Sequence, residues 1–162
     1  MNDFNYFVIA RSIHVLAVVL WIGGVAFITL VLLPALIKLS DSQQRIDMFE
    51  QLENKFAFIA RLSTLAAGIS GYYMLEFLDA WHRYLEPSFW WLHLMTFVWF
   101  VFTLVLFVFE PLFLHRWFLE QARKDSDKAF SLIVKMHKFL LTLSLIAVLA
   151  AVAGAHGLVL SS

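Results

Sequence analysis

Four apolar runs dominate this chain, at about 7–39, 56–80, 89–118 and 129–160. Each is longer than the roughly 20 residues of helix needed to cross a hydrocarbon core of about 30 Å. Lipid offers a backbone no hydrogen-bond partners, so a segment that crosses it must satisfy its own amides, as a helix does. Of 162 residues, 62% are hydrophobic and 15% charged, whereas a soluble domain is about half apolar and a quarter charged. The sequence therefore predicts an all-α, integral membrane four-helix bundle, a single domain over 1–162. Because every run exceeds the minimum, tilt or protrusion from the bilayer is expected.

The first run is too long for a signal-peptide core and has no small-residue cleavage site in the usual place, so it reads as a retained helix. The connection at about 40–55, in SDSQQRIDMFEQLENKF, spaces Ile46, Phe49, Leu52 and Phe56 three or four residues apart among charged residues. Two readings fit it: a short amphipathic helix at the membrane interface, or an ordinary polar loop. No repeat, low-complexity tract or second domain is present.

Lys and Arg near the span ends give the orientation. Lys38, Arg45, Lys55 and Arg61 surround the first connection, and Arg116, Arg123, Lys124, Lys128, Lys135 and Lys138 surround the third. The second connection has only Arg83, the amino end only Arg11 and the carboxyl tail none. Both termini are thus expected on the periplasmic side of a bacterial inner membrane, with the loop AWHRYLEPS beside them. Trp81, Trp90 and Trp91 flank that loop and Trp117 marks the opposite face, as interfacial aromatic belts do.

A net charge of zero provides no basic surface for nucleic acid. The absence of cysteine removes disulfides, iron-sulfur clusters and thiolate zinc sites, leaving His, Met and carboxylates as metal ligands. The six histidines are the residues that need explaining. At 1.5 Å per residue, His14, His93 and His156 fall in the outer half at depths agreeing within about 8 Å. His137 lies about 10 Å to the inner side of the midplane, with His115 nearer that surface, while His82 belongs to the outer loop. Strongly polar side chains inside a span are costly and mark functional sites. Histidines from facing helices at matched depth can ligate one iron from opposite sides, as a b-type haem requires. His93 and His115 also fall within about 40° of one helical face, so one helix has histidines for two stacked sites.

Other features admit two readings each. Small residues in LAAGISG and AVLAAVAGAHG either clear space for a macrocycle or serve helix packing, and Ala147, Ala150, Ala151, Gly154 and Gly157 fit a homodimer contact or packing within one bundle. Arg11 and Arg83 are placed to pair with haem propionates, or to snorkel and set topology. Glu110, followed by Pro111, is a further polar intrusion: a cap, a proton acceptor or an interfacial residue.

The stretch SIHVLAVVLWIGG resembles the opening helix of the HemJ-type membrane protoporphyrinogen oxidases and of the CopD copper-resistance family, with His14 one heptad before Trp21 and glycines following. GISGYYMLEF and WWLHLMTFVWFVFTLVLF are similar to the HemJ pattern of a glycine-led second helix and a third helix opening with Trp-Leu-His. The resemblance covers the first three spans; the fourth matches only in being apolar. It implies a four-helix membrane bundle in which His14 and His93 are family histidines, Trp21 belongs to the cofactor site and b-type haem is bound. Met95 stands where the HemJ pattern has a lysine, so haem and fold carry over while the oxidase reaction does not.

Together these features predict a membrane b-type cytochrome holding one or two haems and transferring electrons, with quinol as a candidate donor. Its iron ligands are His14 with His93, His156 being the alternative partner, and His137 with His115 or with a histidine of a partner subunit. Whether the chain is itself a haem-dependent oxidoreductase stays open. Three rivals stand beside this reading: a CopD-like copper-handling protein, for which His93 with Met95 and Met136 with His137 supply suitable donors; the porphyrin-oxidising enzyme; and a structural assembly subunit.

Overall fold

The computed structural model describes residues 3–158; the last two residues of the fourth predicted run, 159–160, lie outside them. Among the described residues all regular structure is helical, arranged in four long rods. The first comprises α1 (Asp3–Phe27), a π-helical turn (Ile28–Leu32) and α2 (Leu33–Ile37). The second is α3 (Ser42–Phe77). The third starts after two short 3₁₀ turns and consists of α4 (Trp90–Leu104), a π-helical stretch (Val105–Leu114) and α5 (His115–Lys124). The fourth is α6 (Ser126–Ala155).

Side chains in the sequence explain the boundaries. Asp41 starts α3: its carboxylate accepts from the backbone N–H groups of Gln43 at 2.8 Å and Gln44 at 3.3 Å, satisfying donors that have no intrahelical partner. Asp125 does the same for α6 through the N–H of Lys128 at 3.1 Å. The end of α3 is closed by Asp79 at φ 48°, with the N–H of Ala80 donating to the carbonyl of Leu75 at 2.9 Å. This left-handed closure is usually taken by glycine.

Both π-helical stretches accompany a proline. Pro34 lies two residues past the end of the first and Pro111 lies inside the second. Proline has no N–H and its ring crowds the carbonyl four residues back, and the wider turn relieves both problems without ending the rod.

The connection at 40–55 is not a separate element. From Ser42 onward it is the first part of α3, which runs unbroken to Phe77. Its apolar face turns inward: Ile46 and Phe49 are buried, while Leu52 stays exposed. Phe49 meets Phe118 of α5 and Phe130 of α6 edge-on at ring separations of 5.0 and 5.5 Å. These three rings, with Ile28, Leu33, Leu36 and Ile133, form one core cluster. A second cluster joins Trp21, Ile22 and Val25 to Ala60, Val98, Phe102, Leu140, Leu141 and Ala147. All four rods contribute to both cores.

Large apolar side chains also cover the outside, Leu30, Ile69, Phe139 and Leu149 among them, a surface suited to lipid. Three helical segments, Asp3–Ile37, Pro87–Lys124 and Ser126–Ala155, are long and apolar enough to cross a membrane. The predicted run at 56–80 lies in α3 as far as Phe77, and α3 is not among them. That run carries Arg61, Glu76 and several hydroxyl residues, and the structure buries Ser63, Thr64 and Ser70. Those hydroxyls face the other helices, while Glu76 stays exposed.

Candidate functional site

The contact between α1 and α3 contains the most distinctive of the candidate residues. Along α3, Ala57, Ala60, Ser63, Thr64, Ala67 and Ser70 are buried at helical spacing. Such a strip of small side chains lets another helix approach closely. His14 projects from α1 onto this strip. Its Nδ1 lies 2.9 Å from the carbonyl oxygen of Ala67 and 3.1 Å from the Ser70 hydroxyl, and Ser70 itself donates to the Ala66 carbonyl. A carbonyl can only accept, so the imidazole carries its proton on Nδ1 and presents an Nε2 lone pair with no partner among the described residues. Gly71 makes room for the ring: a Cβ there would come within 3.3 Å of His14 Cε1.

One heptad further along, Trp21 is 3% exposed and meets Phe102 edge-on at 4.8 Å. Its indole Nε1 is buried without a hydrogen-bond partner, as is the hydroxyl of Thr64 on α3. Buried donors are nearly always paired. This interface therefore holds an unpaired imidazole nitrogen, an unpaired indole N–H and an unpaired hydroxyl.

The other histidines are committed differently. His93 faces the connector before α4: its Nε2 is 3.0 Å from the Tyr84 carbonyl and its Nδ1 3.4 Å from that of Phe89, with the Tyr84 ring edge-on at 5.2 Å. His156, at the end of α6, is exposed and directs Nδ1 to the Val152 carbonyl at 2.7 Å. His137 does likewise to Ile133 at 3.1 Å, which leaves its Nε2 unpaired. His115 turns Nε2 toward Glu50 of α3 at 3.4 Å, and His82 is exposed, with Nδ1 on the Asp79 carbonyl at 2.9 Å. No hydrogen bond links one histidine to another among the described residues, nor does any group of three or more His, Asp or Glu stand ready to hold one metal ion. Arg83 lies over the Phe89 ring at 5.1 Å. Arg11 is exposed on the outer face of α1, beside Phe7, Ser12 and Val15.

The small residues of the second and fourth runs nest aromatic rings. A Cβ at Gly68 would strike Trp99 at 2.6 Å and one at Gly154 would strike Trp91 at 2.1 Å. Outside those runs, Gly24 stands in the same relation to Phe56, also at 2.1 Å. Trp99 uses the approach to donate from Nε1 to the Thr64 carbonyl at 2.9 Å. Of the small residues on α6, Ala147 and Ala150 are buried within the chain.

A second polar group joins α3 to the third rod, and sequence reasoning saw only one member of it. Glu110 pairs with Arg61, whose Nε also donates to the Leu106 carbonyl at 3.0 Å. In a π-helical register that carbonyl would accept from residue 111, which is proline and has no N–H. Arg61 supplies the missing donor. Nearby, Glu53 has its carboxyl pushed up from 4.5 to about 7, first by burial and then by the charges of Glu110 and Glu50. The readable signal was one acid and one base placed toward the same end of two spans; the pairing itself needed the helix rotations. Compared with protein-family models, with curated proteins and with solved structures, the chain matches none.

Proposed function

We propose that the chain is a four-helix bundle of the bacterial inner membrane, both termini periplasmic, that binds b-type haem and passes electrons. The observation that carries this reading is His14, whose Nδ1 is held by the Ala67 carbonyl and Ser70 hydroxyl while its Nε2 is left as a free lone pair. A metal-ligating histidine is oriented in this way, by a hydrogen bond from its other nitrogen. The donor set therefore fits haem on the α1 side, and the unpaired indole N–H of Trp21, one heptad further along the same helix, supports a ligand against this face.

His93 is the second ligand in this reading, and its Nε2 must first leave the Tyr84 carbonyl. Haem bound there supplies one-electron transfer, with quinol as the donor class. The residues themselves orient one imidazole, keep its tautomer fixed and exclude water by close helix contact. At the inner level His137 has a free Nε2, whereas His115 is engaged with Glu50, so one haem per chain is the supported number.

The test is a reduced-minus-oxidised spectrum of detergent-purified protein with a pyridine haemochrome count. A Soret band near one haem per chain, lost in His14→Ala, is expected. Absence of the band from wild-type protein expressed with ample haem, or its survival unchanged in His14→Ala, overturns the reading.

A further inference from the structure

A groove of about 750 Å³ opens between the end of α2 and the first turns of α6, lined by residues that include Lys38, Ser40, Arg45, Ser131, Lys135 and Lys138. On α6, Ser131, Val134, Lys135 and Lys138 recur at three- and four-residue spacing and present one face. Arg45, 6% exposed, forms part of the lining, and its charge is spent inside the protein. It pairs with Asp127 at 2.6 Å and donates to the Leu39 carbonyl at 2.7 Å. Asp127 is the one acid of the lining. Lys38, Lys135 and Lys138 make no ion pair among the described residues, so the groove carries three uncompensated positive charges beside the apolar side chains of Ile37, Leu39, Phe130 and Val134.

Depth matters as much as charge. No Asp, Glu, Lys or Arg occurs between Arg11 and Lys38, or after Lys138. Lys38 and Lys138 are therefore the residues at which two helices leave the hydrocarbon, at the end of the molecule richest in Lys and Arg. We infer that this groove is a binding site for an anionic phospholipid of the bilayer, its phosphate held by Lys38, Lys135 and Lys138 with the Ser40 and Ser131 hydroxyls, and its acyl chains against the apolar wall. A cation cluster between helices at headgroup level has this chemistry.

The test titrates phosphatidylglycerol and phosphatidylcholine of equal acyl chains into delipidated full-length protein in uncharged detergent, with occupancy read by native mass spectrometry. Phosphatidylglycerol is expected to bind at least about tenfold tighter than phosphatidylcholine, and each lysine to contribute about fivefold. K135Q/K138Q should weaken phosphatidylglycerol by about 25-fold on that scale and leave phosphatidylcholine unchanged. K135R/K138R should retain binding, and the control R123Q/K124Q should behave as wild type. Should the double glutamine variant not fold, K38Q alone is read for its fivefold loss. Equal affinity for the two lipids, wild-type binding by folded K135Q/K138Q or K38Q, or displacement of the lipid by millimolar inorganic phosphate would each overturn the proposal, the last assigning the site to free phosphate.

Discussion

Removing either partner of the Arg61–Glu110 pair should destabilise the protein, and removing both should cost far less. The Arg61 side chain is 32% exposed and that of Glu110 15%. Breaking a fully buried pair costs about 3–5 kcal/mol, and partial exposure reduces this to about 2 kcal/mol for Glu110→Leu, in which Arg61 keeps only the Leu106 carbonyl. Arg61→Met should cost more, about 3 kcal/mol, because it also strips Leu106 of its donor and leaves Glu110 beside Glu53 without its cation. In the double variant an apolar pair replaces the ionic one, a change that is often neutral. A double-mutant cycle should therefore give a coupling of about 2 kcal/mol or more. Thermal unfolding of detergent-solubilised protein, followed by far-UV circular dichroism, would show Glu110→Leu about 4–8 °C below wild type and the double variant only about 2–4 °C below it, the remaining loss being that of the donor to Leu106. If the two single losses simply add to within about 0.5 kcal/mol, the pair is not a unit and the account of Pro111 and Arg61 is wrong.

Two more consequences can be measured. Glu53 holds its proton more tightly when folded, with its carboxyl raised from 4.5 to about 7, so its contribution to stability is full below about pH 4.5 and is lost as pH rises through about 7; Glu53→Gln should flatten that part of the pH–stability curve, and an unchanged slope would refute the assignment. Gly154→Ala should lower stability by about 1–3 kcal/mol through overpacking, because its Cβ would meet Trp91 at 2.1 Å; Trp91→Leu should restore it, and a loss unaffected by that second change would show that Gly154 answers to some other neighbour.

Helical class was legible in the sequence because it depends on local quantities. Run length and apolar content marked out four rods, and three of their segments meet the length and hydropathy of a membrane span. The caps were legible in kind too, since Asp41 and Asp125 are the residue type that starts helices. Where α3 begins was not. The spacing of Ile46, Phe49, Leu52 and Phe56 suits an interfacial helix and the end of a long one equally well, and the choice is made by Phe118 and Phe130, which supply a core for Phe49.

The candidate site divides along the same line. His14 stood out because an imidazole in an apolar run is costly wherever it points. Its tautomer and free nitrogen depend on Ala67 and Ser70, more than fifty residues away in the chain. Position along a helix follows from counting residues, and that is all the expected levels of the histidines rest on. The neighbour each one meets depends on rotation about the helix axis and on which rod lies alongside, and those are set by packing. The pairing of Arg61 with Glu110 and the nesting of Trp91 on Gly154 were therefore decided by the tertiary structure alone, because each is a contact between separate helices, and the turn of His93 toward Tyr84 by the path of the connector before α4.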